Sequence, residues 1–495
     1  KRKEAFAVVE AAHARFADLG YPPVRAELEY QLGDRLQVMA RYEESEAALR
    51  RALALALEHD VERISVLAAR ELARVVGYHR AEPEPGLALG EIARSLARRV
   101  DPSGVAEADV LDVVGVIRFS TADYAGAAQT HREALALKEA VLGADHHELG
   151  ALLVNLGMDV EVLGELEEAA ALQQRAIALA EAHYGADHPR IATFVLNLGN
   201  VRFAQGRYDD AEAAYQRALA ILDATYGHEH AAVATTIHNL GLLDEQRGEH
   251  ERAEARVRDA MAVREALYGR EHPEVADSLM MLGVIAEQAG RPEDALPPIL
   301  EALRIRERVS GPRSHTVGKL RMNLGMVLSK LGRHEEAEAE MQQGLAIKIE
   351  VLGSEHAEVG QAWINLASVS RSRGRLQEAT ARWEAALAIL RPALGEEHPT
   401  VVHAVNGLAK TRLEAGAREG AREQLEWVLA RRSDDQTPPC KRADTELALA
   451  EALWPEPSQR PRAHALATAA AERCGADREP EGHAEIEAWL ASHSP

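Results

Sequence analysis

Aromatic residues are scarce in this chain, 4% of 495 residues against 46% hydrophobic overall. The interior must therefore be packed mainly by alanine and leucine, small and aliphatic side chains that favour helix. Almost no strand is expected. Cysteine is nearly absent. Cys440 and Cys474, both near the end, make neither a disulfide framework nor a zinc-ligand pattern, and a reducing compartment fits that usage. Positive charge is the third shortage. Lys and Arg number 57 against 79 Asp and Glu, a formal charge of −22, and that field repels nucleic acid and anionic lipid surfaces. Neither nucleic-acid binding nor direct membrane binding is expected. No signal peptide is visible and no apolar run is long enough to span a bilayer. The chain opens Lys1-Arg2-Lys3 without a methionine, as a fragment of a longer protein would.

What the chain has in abundance is repetition. Glycines recur every forty-two residues at Gly143, Gly185, Gly227, Gly269, Gly311, Gly353 and Gly395, and a second series stands at Gly164, Gly206, Gly248, Gly290, Gly332, Gly374 and Gly416. Such a register implies a solenoid, in which each unit buries its apolar face only on its neighbours. Each unit reads as a first helix with an Asn-Leu-Gly core, a turn and a second helix of Arg-Ala-Leu-Ala-Ile type, as at Arg217 to Ile221. Small residues at those cores let neighbouring helices approach to about 8–10 Å. Gly-Arg marks the turn at Gly206-Arg207, Gly290-Arg291, Gly332-Arg333 and Gly374-Arg375, where a left-handed residue closes the first helix. Pro189, Pro273 and Pro399 sit just inside the next first helix, where a missing N–H costs nothing.

Three regions follow from this pattern. Residues 1–105 are helical with degenerate repeats, and Glu82-Pro83-Glu84-Pro85-Gly86 reads there as an elongated turn that interrupts a helix. Residues 106–432 form the regular array of about eight helix pairs. Residues 433–495 read as a helical cap over the exposed end, with Trp427, Trp454 and Trp489 filling the larger gaps.

Asn197-Leu198-Gly199, Gly206-Arg207-Tyr208 and Arg217-Ala218-Leu219 are similar to the tetratricopeptide repeat. The forty-two-residue period and the Tyr-Gly-x-x-His-Pro-x-Val-Ala loop, Tyr268 to Ala276, resemble its kinesin-light-chain-like variant. The resemblance implies an all-α, right-handed superhelical solenoid of antiparallel helix pairs whose first helices line a concave groove. Arg70 to Tyr78 and Glu485 to Leu490 resemble the C-terminal repeat region of bacterial multidomain serine/threonine protein kinases. That likeness implies a kinase domain upstream, with a membrane-spanning tether. The chain itself carries no glycine-rich phosphate loop, no His-Arg-Asp and no Asp-Phe-Gly, so no phosphoryl transfer is expected of it.

The most conspicuous polar series is His146, His188, His230, His272, His356 and His398. Consecutive members lie a repeat apart, on the order of 10 Å or more, too far to share a metal that needs nitrogens at about 2.0–2.1 Å. They read as residues that cap or pack each helix start; the loop at Ser314-His315 breaks the rule and should differ locally. No metal and no cofactor are expected. The asparagines Asn155, Asn197, Asn239, Asn323 and Asn365 are the candidate binding residues. A primary amide gives two donors and accepts at its oxygen, which suits an extended peptide backbone; alternatively each bonds the adjacent repeat and fixes stacking. Helical steps of 100° place them on one face with an acidic set, Glu161, Glu245, Asp277 and Glu287, and a basic set, Lys319, Lys330 and Arg371, with ordinary solvated helix faces as the alternative. Met280, Met322 and Met326 add an adaptable apolar surface, with core filling as the alternative.

The function these features imply is a non-catalytic interaction module, a scaffold or adaptor that holds a protein or peptide partner in its groove, with an acidic front and a basic rear. Two alternatives remain at this point. The chain would be the regulatory or substrate-recruiting part of a kinase, or it would self-assemble into a dimer by stacking through an uncovered end. A cytoplasmic location, with a tether to the inner membrane lying upstream, accompanies the kinase resemblance.

Overall fold

The computed structural model describes residues 2–16, 20–432, 439–475 and 480–493. Among these residues every regular element is helical. The chain divides into two compact units, Lys1–Leu243 and Asp244–Pro495.

The first unit opens with α1 (Arg2–Phe16), followed by α2 (Pro22–Val38), α3 (Tyr42–Glu58), α4 (Glu62–Arg74) and α5 (Pro83–Val100). It continues with α6 (Val105–Ser120), α7 (Tyr124–Leu142), α8 (Gly150–Val162), α9 (Leu166–Tyr184), α10 (Pro189–Ala204) and α11 (Tyr208–Tyr226), and the boundary falls within α12 (Ala231–Gln246). The second unit holds α13 (His250–Tyr268), α14 (Pro273–Gln288), α15 (Pro292–Ser310), α16 (His315–Lys330), α17 (His334–Leu352), α18 (Ala357–Ser372) and α19 (Leu376–Leu394). It ends with α20 (Pro399–Glu414), α21 (Arg418–Arg431), α22 (Pro439–Leu453), α23 (Arg460–Arg473) and α24 (Pro480–Ser492).

Helix lengths carry the period. First helices such as α10, α14, α16, α18 and α20 have 16 residues and second helices such as α11, α13, α15, α17 and α19 have 19. Both glycine series sit at positive φ, for example Gly206 at 72° and Gly227 at 78°, so each helix stops where the chain must pass through a left-handed residue. Where the glycine is lacking the geometry is kept: Ala40, Asp60 and Ala81 in the degenerate repeats, and Ala122 at the head of the regular array, stand at φ 57°, 57°, 55° and 62°.

The glycines of the Asn-Leu-Gly cores, and of the variant Met281-Leu282-Gly283, are points of close helix approach. A Cβ on Gly199 would meet the Tyr215 ring at 2.5 Å, one on Gly283 would meet Ile299 at 2.4 Å, and one on Gly325 would meet Met341 at 2.5 Å. Each opposing residue belongs to the second helix of the same pair, and the alanines around it, such as Ala211, Ala295 and Ala337, are fully buried.

Two expectations need correction. Glu82 to Gly86 is not an elongated turn. α4 runs into a π-helical turn at Val75–His79, and Pro83 then starts α5 at a position where its missing N–H is harmless. The π turn brings Gly77 against Gly86, where an added Cβ would lie 2.2 Å from the Gly77 Cα. Cys440 and Cys474 are not free thiols but a disulfide, with a Cα–Cα distance of 4.7 Å. Cys440 lies in the first turn of α22 and Cys474 is the C-cap of α23. Antiparallel pairing places the start of one helix beside the end of the next, which brings the two sulfurs together across 34 residues. The bond removes the reason for assigning a reducing compartment. Around it Leu447, Leu449, Leu453, Ile486 and Trp489 form one buried cluster, and Trp454 meets Trp489 edge to face at 5.4 Å. Among the described residues no helix is long and apolar enough to cross a membrane.

Candidate interaction surface

The histidine series closes the starts of α10, α12, α14, α18 and α20, and His146 caps the short 3-10 turn His147–Leu149 that leads into α8. The Nδ1 atoms of His146, His188, His230, His272, His356 and His398 each accept the backbone N–H two residues on, at 3.2–3.3 Å. That takes up one of the orphan donors of a helix N-terminus, the part usually played by serine or asparagine. Tyr184, Tyr226 and Tyr268 stack on the capping rings at 4.3–4.7 Å. Ser314 differs, as expected: its side chain makes no cap hydrogen bond. Among the described residues no group of three His, Cys, Asp or Glu side chains is placed to hold a metal.

The asparagines divide. Asn155 donates from Nδ2 to Asp112 Oδ1 at 2.8 Å, and Asn239 donates to Asn200 Oδ1 at 3.1 Å. Both partners lie on the preceding first helix, so these two amides hold consecutive repeats in register. Among the described residues Asn365 makes only a long contact of 3.8 Å to Met326 Sδ. Asn197 and Asn323 are half-buried and make no side-chain hydrogen bond among the described residues.

The charged residues of the same face are mostly spent on one another. Glu287 pairs with Lys330, Asp277 with Arg306 at 2.5 Å, and Arg371 with Glu414 at 2.5 Å. Glu245 is 8% exposed and accepts from Gln246 at 2.7 Å. Glu161 is half-buried, and burial pushes its carboxyl above the usual range. Lys319 is exposed without an ion-pair partner among the described residues. Of the methionines, Met322 is 4% exposed and packs against Gly344, so it fills core. Met280 is half-buried, whereas Met326 stands 38% exposed.

Two cavities open at the same register of the repeat, one in each unit. In the first unit about 220 Å³ is enclosed between α6 and α8 by Tyr78, Val116, Phe119 and Met158, with His131, Asn155 and Asp159 on the polar side. In the second, about 110 Å³ between α14 and α16 is bounded by Val284, Glu287, Gln288, Ile299, Asn323, Met326 and Val327. Four periods separate Val116 from Val284, Asn155 from Asn323 and Met158 from Met326. Both sites carry the tetrapeptide Asn-Leu-Gly-Met, at Asn155 to Met158 and at Asn323 to Met326, and both methionines are exposed, by 37% and 38%. The recurrence of that tetrapeptide was the sequence signal for these cavities; Tyr78, Val116, Phe119 and Val284 carry no signal of their own.

Beneath the first cavity lies a buried acid–base pair. His131 and Asp159 are each 1% exposed, with Nδ1 to Oδ2 at 2.5 Å, and His131 Nε2 reaches the Asp112 backbone carbonyl at 3.2 Å. A carbonyl only accepts, so Nε2 carries a proton and the Nδ1–Oδ2 contact holds another. Burial opposes charge on the ring, but the hydrogen bond and charge of Asp159, with the charge of Asp112, outweigh it and raise the His131 pKa. Burial likewise raises Asp159.

A tetratricopeptide-repeat family model matches residues 106–182, 190–266, 245–308, 316–379 and 358–434. The segments Arg70 to Tyr78 and Glu485 to Leu490 lie outside those ranges. Among solved structures, the apo form of the quorum sensor NprR from B. thuringiensis aligns with a TM-score of 0.53 at 12% identity, over 73% of this chain and 97% of its own. The apo form of RapI gives 0.52 at 12% identity, over 74% and 98%. A kinesin light chain of P. anserina with nearly identical TPR-like repeats is 24% identical over 42% of this chain and 99% of its own, with a TM-score of 0.37. None of the curated proteins matches. The likenesses to NprR and RapI bear on the fold alone.

Proposed function

The chain belongs to the tetratricopeptide-repeat family, and from that premise we propose that it is an interaction scaffold whose first-helix faces seat an extended segment of a partner protein. The carrying observation is the pair of Asn-Leu-Gly-Met cavities, each walled by aliphatic, aromatic or thioether groups and lipped by an asparagine amide. A bulky apolar side chain of the partner fills such a cavity and leaves its backbone beside the amide. Asn323 is the stronger candidate for that backbone contact because its amide is unengaged, whereas Asn155 already holds Asp112. The intrachain pairing of Glu287 with Lys330 and of Arg371 with Glu414 argues against recognition by opposed charge. Apolar anchoring takes its place. Anchor residues of this kind typically contribute about 2 kcal/mol or more when buried in a closed pocket.

The test is selection of displayed peptides on the intact chain, beside a Met158→Lys, Met326→Lys double variant with an unchanged melting curve. Both methionines are more than one-third exposed, so the substitutions should be borne by the fold. Peptides enriched for a large apolar residue, with affinity falling at least tenfold in the double variant, are expected. Equal affinity in the double variant would remove the cavities from the reading.

A further inference from the structure

We infer that the crevice between α9, α10 and α11 is a binding site for an oxyanion, a carboxylate or phosphate group carried on an apolar body. The crevice encloses about 470 Å³, the size of a small-molecule pocket. Its floor is apolar, made by Ile177, Val195 and Leu198, and the alanines Ala178, Ala213 and Ala214 leave the space open. Val195, Leu198 and Arg202 follow one another at i, i+3 and i+7, a single stripe on the side of α10 roughly opposite Asn197. The crevice is thus separate from the asparagine face on which the scaffold reading rests.

Arg202 is what sets it apart. Its side chain is nine-tenths buried, yet no carboxylate lies within ion-pair distance among the described residues. Its one hydrogen bond runs from Nη1 to Gln205 Oε1 at 2.7 Å. Gln205 in turn donates to the Leu166 carbonyl at 3.2 Å and to Glu167 at 2.8 Å, so a neutral amide stands between Arg202 and the Glu167 carboxylate. Removing a guanidinium from water without a directly paired anion is costly. Of the other buried arginines, Arg382 pairs with Glu338 and Glu378 and Arg264 with Glu274, whereas Arg432 is held by the Lys441 carbonyl and the Thr445 hydroxyl and lies outside the crevice. Arg207 and Arg217 also line the crevice, paired with Asp210 and Glu181 respectively. Three guanidiniums against two carboxylates make this a locally positive hollow in a chain of formal charge −22. An oxyanion seated on Arg202 completes its pairing and gains a second donor from Arg207 or Arg217, the forked geometry that suits carboxylate and phosphate.

The probes are phenyl phosphate and benzoate, with benzyl alcohol as the uncharged analogue, titrated by calorimetry into the full chain at low ionic strength. Saturable binding of at least one anion, at least tenfold tighter than benzyl alcohol, is expected, and the preferred arm tells phosphate from carboxylate. Arg202→Gln should weaken it at least tenfold, while Arg258→Gln, which removes an exposed arginine of the second unit, should change nothing. Should Arg202→Gln fail to fold, Ala213→Glu supplies a built-in carboxylate at the exposed rim and should abolish binding by itself. Binding that survives either variant, equal affinity for benzyl alcohol, or no saturation by either anion would each overturn the inference.

Discussion

At the scale of single residues, the same glycine position has different tolerances according to what faces it. A Cβ at Gly199 meets the Tyr215 ring, a rigid group 3% exposed whose hydroxyl donates to Asn200 at 2.9 Å. A Cβ at Gly157 meets Gln173 Nε2, the far end of a flexible side chain whose bond to the Val154 carbonyl is 3.3 Å long. Gly199→Ala should therefore destabilise by about 1–3 kcal/mol. Gly157→Ala should stay within about 1 kcal/mol, because alanine's helix propensity offsets the displacement. Urea unfolding of the two variants decides it, and equal midpoints would contradict the contrast. His131 offers a second prediction at this scale. Its pKa and that of Asp159 are both raised on folding, so the folded pair binds more protons than the unfolded chain and its contribution declines as pH rises. The His131 part is fully present below the unfolded value of about 6.5 and is lost as pH climbs through the raised folded value. His131→Gln, which installs the residue that Gln173 already provides one period later, should flatten the fall of Tm as the pH rises above the unfolded value of about 6.5. Parallel curves for the two proteins would refute the linkage. The residue scale is also where the sequence was least legible. Glu287 and Lys330 were read as opposite ends of a charge gradient, yet they stand 43 residues apart, as do Arg371 and Glu414, and Asp112 and Asn155. One period plus one residue brings side chains of successive first helices together, so the spacing itself held the pairing.

At the scale of elements the sequence was far more transparent, because a helix stop needs a particular backbone geometry and glycine advertises it. Gly164 at φ 84° and Gly206 at φ 72° occupy the place that Ala122 takes at φ 62° in the repeat before them. A left-handed conformation costs an alanine roughly 1–2 kcal/mol that glycine avoids. Ala122→Gly should raise stability by about 0.5–1 kcal/mol once the greater freedom of the unfolded glycine is allowed for. Thermal melting measures it, and a lower Tm would mean that the turn is not strained. The π turn at Val75–His79 was illegible for the converse reason. It accompanies the Gly77–Gly86 approach, a contact between two chain segments that no local pattern announces.

At the scale of the whole molecule, repetition made the solenoid legible and left its terminal device hidden. Two cysteines 34 residues apart give no periodic signal, and only the antiparallel packing of α22 and α23 brings them together. Closing a loop of that length contributes on the order of 3–4 kcal/mol in the chain-entropy model. In a stack of nearest-neighbour contacts the effect stays local. Cys440→Ser should therefore speed amide exchange in α22 and α23 while leaving that of α14 to α19 unchanged. Uniform acceleration along the second unit would show instead that the stack unfolds as one body. The proposed binding face was half legible: the asparagine row was visible, but its division into stacking amides and others depends on partners one helix away.

The glycine that ends each second helix bears on how such a gene can change length. Gly311 and Gly353 have φ of 82° and 85°, and the helices that follow them both have 16 residues. An in-frame loss of residues 312–353 would join two ends already shaped for each other and would ask the backbone for no conformation it does not now adopt. Unequal crossing-over between neighbouring repeats can thus shorten or lengthen this reading frame a whole unit at a time without a new demand on the backbone.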